Sequence, residues 1–257
     1  FNKDSHGLKY YEKYLGQTIG EIETARGCVA RCTFCQRYVK GYRTYAANDL
    51  EAHIIELKKK YNVGALHIND ENSLSDRKQS YEVARLLKKH NLYWSCEGVR
   101  VTSVTYEDLK FYKEHNLLSI RFGIETGSQK ILDIMEKKAT TKEVYNAISN
   151  CKKVGISVAT DAFMIGMPGE TRESVMETAQ FAGELKHLVG NKWTSIASPS
   201  LAMAIPGTPL YEYCQQIGVI GKTLDEEEDY LIRVSEHKNT HILNYVNKTN
   251  SSIKEVH

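Results

Sequence analysis

The segment Ala25-Arg26-Gly27-Cys28-Val29-Ala30-Arg31-Cys32-Thr33-Phe34-Cys35 carries three cysteines separated by three and then by two residues. Thiolates are the ligands of iron–sulfur clusters, and three of them hold three irons of a four-iron cluster while the fourth iron keeps an open position. An open coordination position is what distinguishes a reactive metal site from a structural one. The spacing therefore predicts a catalytic 4Fe-4S cluster with Cys28, Cys32 and Cys35 as its ligands.

Two other interpretations of these cysteines stay open. Cys28 and Cys32, four residues apart, would suit small buried positions on a helix, and a zinc site would need a fourth ligand nearby. The nearest histidine, His53, does not have the spacing of a zinc ribbon or finger. The remaining cysteines are widely separated and are expected to be ordinary buried residues, with a second cluster as the alternative. They are Cys96, Cys151 and Cys214.

The composition fits one α/β domain with a modest appendage. The chain has 257 residues, and its 34 basic and 32 acidic residues give a net charge of +2. Charge therefore provides no case for nucleic acid as a general partner. The sequence has no run of about 18 apolar residues, and its first residues lack the apolar stretch of a signal peptide. We expect a cytoplasmic protein without a membrane span, in which unpaired cysteines stay reduced.

Strand-like apolar runs alternate with helix-like segments along most of the chain. This alternation is typical of repeated β/α units, whose strands form a parallel sheet. The predicted strands are Gly20 to Thr24, Ala65 to Asn69, Leu92 to Cys96, Leu118 to Ile124, Ser157 to Ile165 and Thr194 to Met203. The predicted helices are Asn48 to Tyr61, Gln79 to His90, Tyr106 to His115, Thr141 to Lys153 and Thr171 to Leu185. The predicted caps are a capping box at Asn48, threonines at Thr105, Thr141 and Thr171, and Gly155 as a C-terminal stop.

The cysteine motif, with Phe34 before its last cysteine, resembles the signature of the radical S-adenosylmethionine (SAM) superfamily. In that family SAM chelates the open iron, and an electron from the reduced cluster cleaves SAM to methionine and a 5′-deoxyadenosyl radical. The resemblance implies an α/β fold, a partial (β/α)6 TIM-like barrel with its site at the C-terminal ends of the strands. It also implies a 4Fe-4S cluster and SAM as cofactors, and an electron donor such as a flavodoxin or ferredoxin.

Polar residues after the second and third predicted strands resemble the positions at which this family binds SAM. Asp70 and Glu71 follow the second strand, where family members contact the amino group of SAM, although the usual Gly-Gly-Glu version is absent. Glu71 is the preferred candidate. Arg100 follows the third strand and suits a carboxylate, which it can bind in a bidentate fork. The competing interpretations are a solvated loop or helix cap for the acidic pair and a surface salt bridge for Arg100.

Motifs after the later strands resemble those of cobalamin-dependent radical SAM enzymes. The segment 123–128 is similar to their Gly-Ile-Glu-Ser-Gly element, which would bring Glu125 and Thr126 to the ribose or methionine part of SAM. The segments 163–171 and 204–211 are similar to their Ile-Gly-Leu-Pro-Gly-Glu-Thr and Pro-Gly-Thr-Pro-Leu elements, and ordinary turns would look the same. The full set of predicted SAM contacts is Phe34, Asp70, Glu71, Arg100, Glu125, Thr126, Ile165, Gly166 and Met203.

The resemblance extends from about Ile19 to Gly221. We therefore expect a lead-in segment at 1–18, the radical SAM partial barrel at 19–221 and a short helical C-terminal extension at 222–257. Cobalamin is a further expected cofactor; its binding domain is not found in the sequence, and a first residue other than methionine is consistent with its loss from the N-terminus. In the extension, His237 and His241 are four residues apart, which suits either metal binding or a solvated helix face.

These patterns lead us to expect a radical SAM enzyme, either a methyltransferase or another C–H modifying enzyme, whose substrate and substrate-facing residues the sequence does not identify. A methylthiotransferase-like enzyme that modifies RNA or protein is one alternative. A non-enzymatic iron–sulfur redox sensor or electron carrier is the other, and it would need the cluster but none of the motifs on the SAM side.

Overall fold

The computed structural model describes residues 18–37, 39, 41–159, 162–190 and 199–235. Within them the elements are, in chain order, β1 (Thr18–Ile22), β2 (Ala25–Cys28), β3 (Gly41–Thr44), α1 (Ala47–Tyr61), β4 (Val63–Ile68), α2 (Arg77–Lys89), β5 (Tyr93–Val99), a 3-10 turn (Val101–Ser103), α3 (Tyr106–Glu114), β6 (Leu117–Phe122), α4 (Gln129–Ile134), α5 (Thr141–Val154), β7 (Ser157–Ala159), β8 (Met164–Ile165), α6 (Arg172–Val189), β9 (Ser200–Leu201), α7 (Pro209–Gln216) and α8 (Leu224–Ser235).

The main sheet is parallel and follows the order of the chain. Its five strands are arranged β1-β4-β5-β6-β7, and β8 and β9 form a second parallel pair. A bridge joins the two sheets, because the Glu125 amide donates to the Ala162 carbonyl (2.8 Å) and the Met164 amide donates to the Glu125 carbonyl (2.7 Å). The α/β fold with a partial-barrel arrangement of β/α units is thus confirmed. The predicted strand at Ser157 to Ile165 corresponds to β7 and β8 together, and residues 194–198 of the last predicted strand lie outside the described residues.

Two hydrophobic clusters stabilise the described structure. The main cluster lies between the five-stranded sheet and its helices and includes Trp94, Ile120 and Leu109, each 1% exposed or less. The second cluster joins α4, β8, α7, α8 and the segment that follows β9, around residues such as Met167 and Tyr211. Truncation of a fully buried aliphatic side chain in such a cluster lowers the free energy of unfolding by about 2–5 kcal/mol. These contacts therefore hold the strand ends, and the loops that follow them, in fixed positions.

The helix caps were predicted with mixed success. Thr105 and Thr171 are N-caps with complete capping boxes, and Gly155 ends α5 in the left-handed conformation, all as predicted. Two predictions were wrong. The capping box at Asn48 does not exist, because α1 begins at Ala47 and its N-cap, Ala46, makes no side-chain cap bond. The cap of α5 is Thr140 rather than Thr141, and Thr140 pairs with Glu143 in its own capping box.

Candidate active site

The cysteine loop lies between two strands that the sequence did not indicate. β2 and β3 form an antiparallel pair in which Cys28, the last residue of β2, is opposite Gly41. Cys32 and Cys35 lie in the connection between these strands. All three thiols are free; Cys28 and Cys32 are partly buried and Cys35 is exposed. The loop is therefore the tip of a hairpin that follows β1, rather than a simple connection after the first strand.

Backbone hydrogen bonds anchor this loop to two distant parts of the chain. The Thr33 amide donates to the Met135 carbonyl (3.0 Å), and the Leu210 amide donates to the Thr33 carbonyl (2.9 Å). Nearby, the Gln36 side-chain amide donates to the Pro206 carbonyl (3.2 Å). The loop is thus fixed between the end of α4 and the start of α7, at the C-terminal ends of the strands.

The three thiols act on one another electrostatically. The pKa of Cys32 is raised overall, because the effect of burial outweighs that of the nearby Lys137 and Arg100 charges. Burial also raises the pKa of Cys35, and the neighbouring Cys32 and Cys28 raise it further. Clustered thiols beside cations are a suitable donor set for an iron–sulfur cluster, because binding takes place through the thiolate.

The arrangement of the thiols differs from that of a single-ion site. Within the described part of the chain, no three His, Cys, Asp or Glu side chains converge on one metal ion. A four-iron cluster does not require such convergence, since each thiolate binds a different iron. Three free thiols on one anchored hairpin, two of them partly buried and one exposed, are a donor set that suits the cluster that the sequence predicts.

Lys137 is a candidate site residue that sequence reasoning missed. Its ammonium forms an ion pair of 2.6 Å with Glu125, and the two side chains are only 12% and 17% exposed. The same ammonium lies 6.0 Å from the centre of the Phe34 ring, and the Lys137 carbonyl accepts a hydrogen bond from Arg100 (2.8 Å). Lys137 thus contacts two predicted site residues, Glu125 through its ammonium and Arg100 through its carbonyl, and lies beside Phe34 of the cysteine loop.

The local backbone explains why this lysine reaches the loop. Glu136 and Lys138, on either side of Lys137, both have positive φ angles (50° and 52°), as does Glu125 (67°). Gly123 leaves the space that the ion pair occupies, because a Cβ there would lie 2.7 Å from both the Glu125 carboxylate and the Lys137 ammonium. In the sequence, 136–138 looks like an ordinary charged turn, so no pattern marked Lys137.

Asp70 and Glu71 differ in their surroundings. Asp70 is buried and accepts hydrogen bonds from the Thr24 amide (2.7 Å), the Thr24 hydroxyl (2.6 Å) and the Ala25 amide (3.1 Å). Burial raises the pKa of the Asp70 carboxyl, and the bonds from Thr24 oppose that rise. Glu71 is exposed and lines two cavities, of about 360 and 280 Å³. Glu71 is therefore accessible to a ligand, while Asp70 fixes the turn that leads into β2.

The other predicted contacts are spread along the same edge. Thr126 is buried and faces α6, where its hydroxyl lies 2.8 Å from the Thr178 hydroxyl. Ile165 is buried in β8, and the Gly166 amide that follows it donates to the Glu170 carboxylate. Met203 follows β9 and is 39% exposed. The geometry therefore brings Phe34, Arg100 and Glu125 to the cysteine loop, whereas the Thr126 side chain is directed into a helix contact.

The remaining cysteines are core residues. Cys96 and Cys151 are buried in the main cluster and Cys214 in the second, as the sequence predicts for ordinary core cysteines. His237 and His241 lie outside the described residues. No helix in the described residues is long and apolar enough to span a membrane.

Two curated relatives are similar to most of the chain. An uncharacterized methyltransferase from Pyrococcus horikoshii is 29% identical over 216 residues, which cover 81% of this chain and 45% of that protein. A tRNA-2-methylthio-N(6)-dimethylallyladenosine synthase from Ehrlichia ruminantium is 29% identical over 215 residues, 76% of this chain and 45% of that protein. The chain thus spans less than half the length of these relatives.

Solved structures show the same fold. The radical S-adenosylmethionine methyltransferase TsrM from Kitasatospora setae, determined with cobalamin and a 4Fe-4S cluster bound, matches with a TM-score of 0.67 at 16% identity. The match covers 83% of this chain and 40% of that one. The family model of the radical SAM superfamily matches residues 22–182, more than half of the chain and including the cysteine loop, and the chain belongs to this superfamily.

Proposed function

We propose that this chain is the radical SAM part of an enzyme that cleaves SAM reductively and uses the resulting radical to modify a C–H bond. The observation that supports this most directly is the anchored cysteine loop at the C-terminal ends of the strands, with the Lys137–Glu125 pair beside it. When bound, the reduced cluster supplies the electron that cleaves SAM to methionine and a 5′-deoxyadenosyl radical. The protein's task is to bind, orient and shield the reactants.

The chain's own residues divide that task. Cys28, Cys32 and Cys35 would hold the cluster, and Phe34, half-buried against the second hydrophobic cluster, would keep water from it. Glu71 is exposed at the strand ends and suits an ammonium group, whereas Lys137 suits a carboxylate.

Glu125 has two oxygens, of which one faces Lys137, so its carboxylate can also accept ribose hydroxyls. The contacts of Asp70, Arg100, Thr126, Ile165, Gly166 and Met203 with SAM stay predictions.

Methyl transfer with cobalamin is the reaction class we favour. The support is the methyltransferase relative from Pyrococcus horikoshii and the fold shared with TsrM, which was determined with cobalamin bound. A methylthiotransferase-like activity is the second candidate, favoured by the similarity to the tRNA-modifying enzyme of Ehrlichia ruminantium. The chain covers less than half of these relatives, so a cobalamin-binding domain would be contributed by a further part of the protein or by a partner.

The decisive experiment is cleavage of SAM by the anaerobically reconstituted and chemically reduced protein. We expect 5′-deoxyadenosine from the wild type and from Cys214→Ala, a control in the second hydrophobic cluster, but not from Cys32→Ala. Equal product from all three proteins, or none from the wild type, would contradict the proposed function.

Two added components test the reaction class and the electron donor. Stoichiometric binding of added cobalamin, by the reconstituted protein alone or together with the part or partner that would carry the cobalamin-binding domain, would favour the methyltransferase. Absence of binding in both cases would favour the methylthiotransferase-like alternative. Reduced flavodoxin or ferredoxin in place of a chemical reductant tests the expected electron donor. The location of the protein in the cytoplasm stays a prediction.

A further inference from the structure

Towards the C-terminal ends of the strands, the face of the parallel sheet opposite the main hydrophobic cluster is polar. Ile68, Cys96 and Ile120 are buried in that cluster, and because side chains alternate along a strand, the residue before each of them faces the other way. The strand register aligns these alternate residues in one row across five strands. The row consists of Glu21, His67, Ser95, Ser119 and Ser157.

An opposite-charge pair lies one step along this face, towards the C-terminal ends of the strands. The Arg121 guanidinium is 3.5 Å from the Glu97 carboxylate, which also lies 3.8 Å from the His67 ring. The other nitrogen of that ring lies 2.8 Å from the Ser95 hydroxyl. Glu97 is thus fixed between an imidazole and a guanidinium, and the pair has a defined position on the sheet.

This pair borders a cavity of about 360 Å³ that opens where the strands end. The Arg121 side chain remains 42% exposed and that of Glu97 23%, so both charged ends are accessible from the cavity. Glu71 lines the same cavity and also a neighbouring one that reaches Gly27, beside Cys28. A small molecule bound against the pair would therefore lie next to the SAM site that we propose, and the cavity volume is within the range of small-molecule sites.

The charges of Glu97 and Arg121 limit which kinds of small molecule could bind against this pair. A simple cation would meet the Arg121 guanidinium, and a simple anion would meet the Glu97 carboxylate, so each would be repelled by one member of the pair. A molecule with an ammonium and a carboxylate a few ångström apart satisfies both, because residues on neighbouring strands are about 4.8 Å apart. A guanidinium also binds a carboxylate through two parallel hydrogen bonds.

We propose that Glu97 and Arg121 bind the second substrate and that this substrate is a free α-amino acid. Its carboxylate pairs with Arg121 and its ammonium with Glu97. This inference rests on the proposed function, since it assigns the cavity to the molecule that the radical attacks.

The test is equilibrium dialysis of the reconstituted protein against SAM and a mixture of the twenty common amino acids, with each compound measured by mass spectrometry. The variants are Arg121→Gln, Arg121→Lys and Glu97→Gln. Arg85→Gln is the matched control, because Arg85 is an exposed residue of α2 that lies over the Tyr81 and Phe111 rings. Circular dichroism verifies that each variant is folded, and Arg121→Lys keeps the charge but not the fork.

We expect the wild type and Arg85→Gln to retain at least one amino acid, with retention weakened about tenfold or more in Arg121→Gln and Glu97→Gln and partly restored in Arg121→Lys. The N-acetyl and amide derivatives of that amino acid should not be retained. The proposal is overturned if no amino acid is retained or if all variants retain it equally. Loss of SAM together with the amino acid in Arg121→Gln also overturns it, because the pair would then belong to the SAM site. Failure of the wild type to retain SAM would instead contradict the proposed function.

Discussion

Asp70 holds the turn between β1 and β2, and this turn leads directly into the cysteine hairpin. Its carboxylate accepts three hydrogen bonds from Thr24 and Ala25, while the Gln79 side chain binds the Thr24 carbonyl at 2.9 Å. Gly98 packs so closely against this segment that a Cβ there would clash with the Asp70 carbonyl oxygen. Asp70 would therefore act on the proposed iron–sulfur cluster through the position of Cys28.

Asp70→Ala should loosen the cysteine hairpin. It leaves buried backbone and hydroxyl donors without an acceptor, at a cost of about 1–3 kcal/mol. We expect less iron bound per protein and faster loss of iron to a chelator. Asp76→Ala is the control, since Asp76 also accepts a backbone amide (Gln79, 2.9 Å) but caps α2. Equal iron retention in the two variants, at matched stability, would show that Asp70 does not position the cluster.

The space at Gly123 determines the geometry of the Lys137–Glu125 pair. In Gly123→Ala the new methyl group displaces both charged ends, each of which is the flexible end of a side chain, so the fold should persist while SAM binding weakens. Gly183→Ala is the control, because Gly183 lies in α6 with open space around it and should gain about 0.5–1 kcal/mol of stability. Thermal unfolding and SAM dialysis measure the two effects, and unchanged SAM affinity in Gly123→Ala would count against a role for the pair.

At the scale of elements, a single buried carboxylate joins α2 to α3. Asp108 accepts hydrogen bonds from the Thr105 amide (2.9 Å) and the Tyr81 hydroxyl (2.7 Å), and the Arg77 guanidinium lies 2.7 Å away. Burial raises the pKa of Asp108, but these hydrogen bonds and the Arg77 charge outweigh it, so the pKa is lowered overall. The carboxylate is therefore more stable in the folded than in the unfolded chain.

This difference gives a pH-dependent contribution to stability. A lowered folded pKa means that the contribution is complete above the unfolded value of about 3.9 and is lost as pH falls through the folded value. The free energy of unfolding of the wild type should therefore exceed that of Asp108→Asn at neutral pH, and the gap should narrow below about pH 4. Urea titrations at several pH values measure it, and a constant gap would contradict the lowered pKa.

Strand positions were more predictable than the segments that carry the chemistry. In runs such as Leu118 to Ile124 apolar residues alternate with polar residues or glycine, so burial of one face against helices determines them locally. The β2–β3 hairpin has no such pattern, because Gly27 has a φ of 85° and β3 is mostly exposed. The sequence does not indicate Lys137 for a related reason. Its contact with Glu125 depends on a left-handed backbone and on the space at Gly123, which arise only in the folded chain.

At the scale of the whole molecule, α8 packs into the second hydrophobic cluster, which also supports the cysteine loop. The Tyr230 hydroxyl donates to the Ala204 carbonyl (3.0 Å), and Glu227 accepts hydrogen bonds from the Tyr211 hydroxyl (3.0 Å) and the Gln215 amide (2.8 Å). Phe34 of the loop packs against this cluster. The division at residue 221 stays a prediction, but α8 shares a hydrophobic core with the proposed site.

Tyr230→Ala should therefore weaken retention of the proposed iron–sulfur cluster from a distance. Removal of this buried ring, which is 7% exposed, should cost about 3–5 kcal/mol, as for other buried aromatic residues, and should loosen the support under Phe34. Leu87→Ala is a control of comparable cost, since Leu87 is fully buried in the main cluster, on α2. At temperatures chosen to give equal fractions folded, iron should leave Tyr230→Ala faster than Leu87→Ala. If both variants lose iron at the same rate, global stability alone determines iron retention. The second hydrophobic cluster would then give the cysteine loop no specific support.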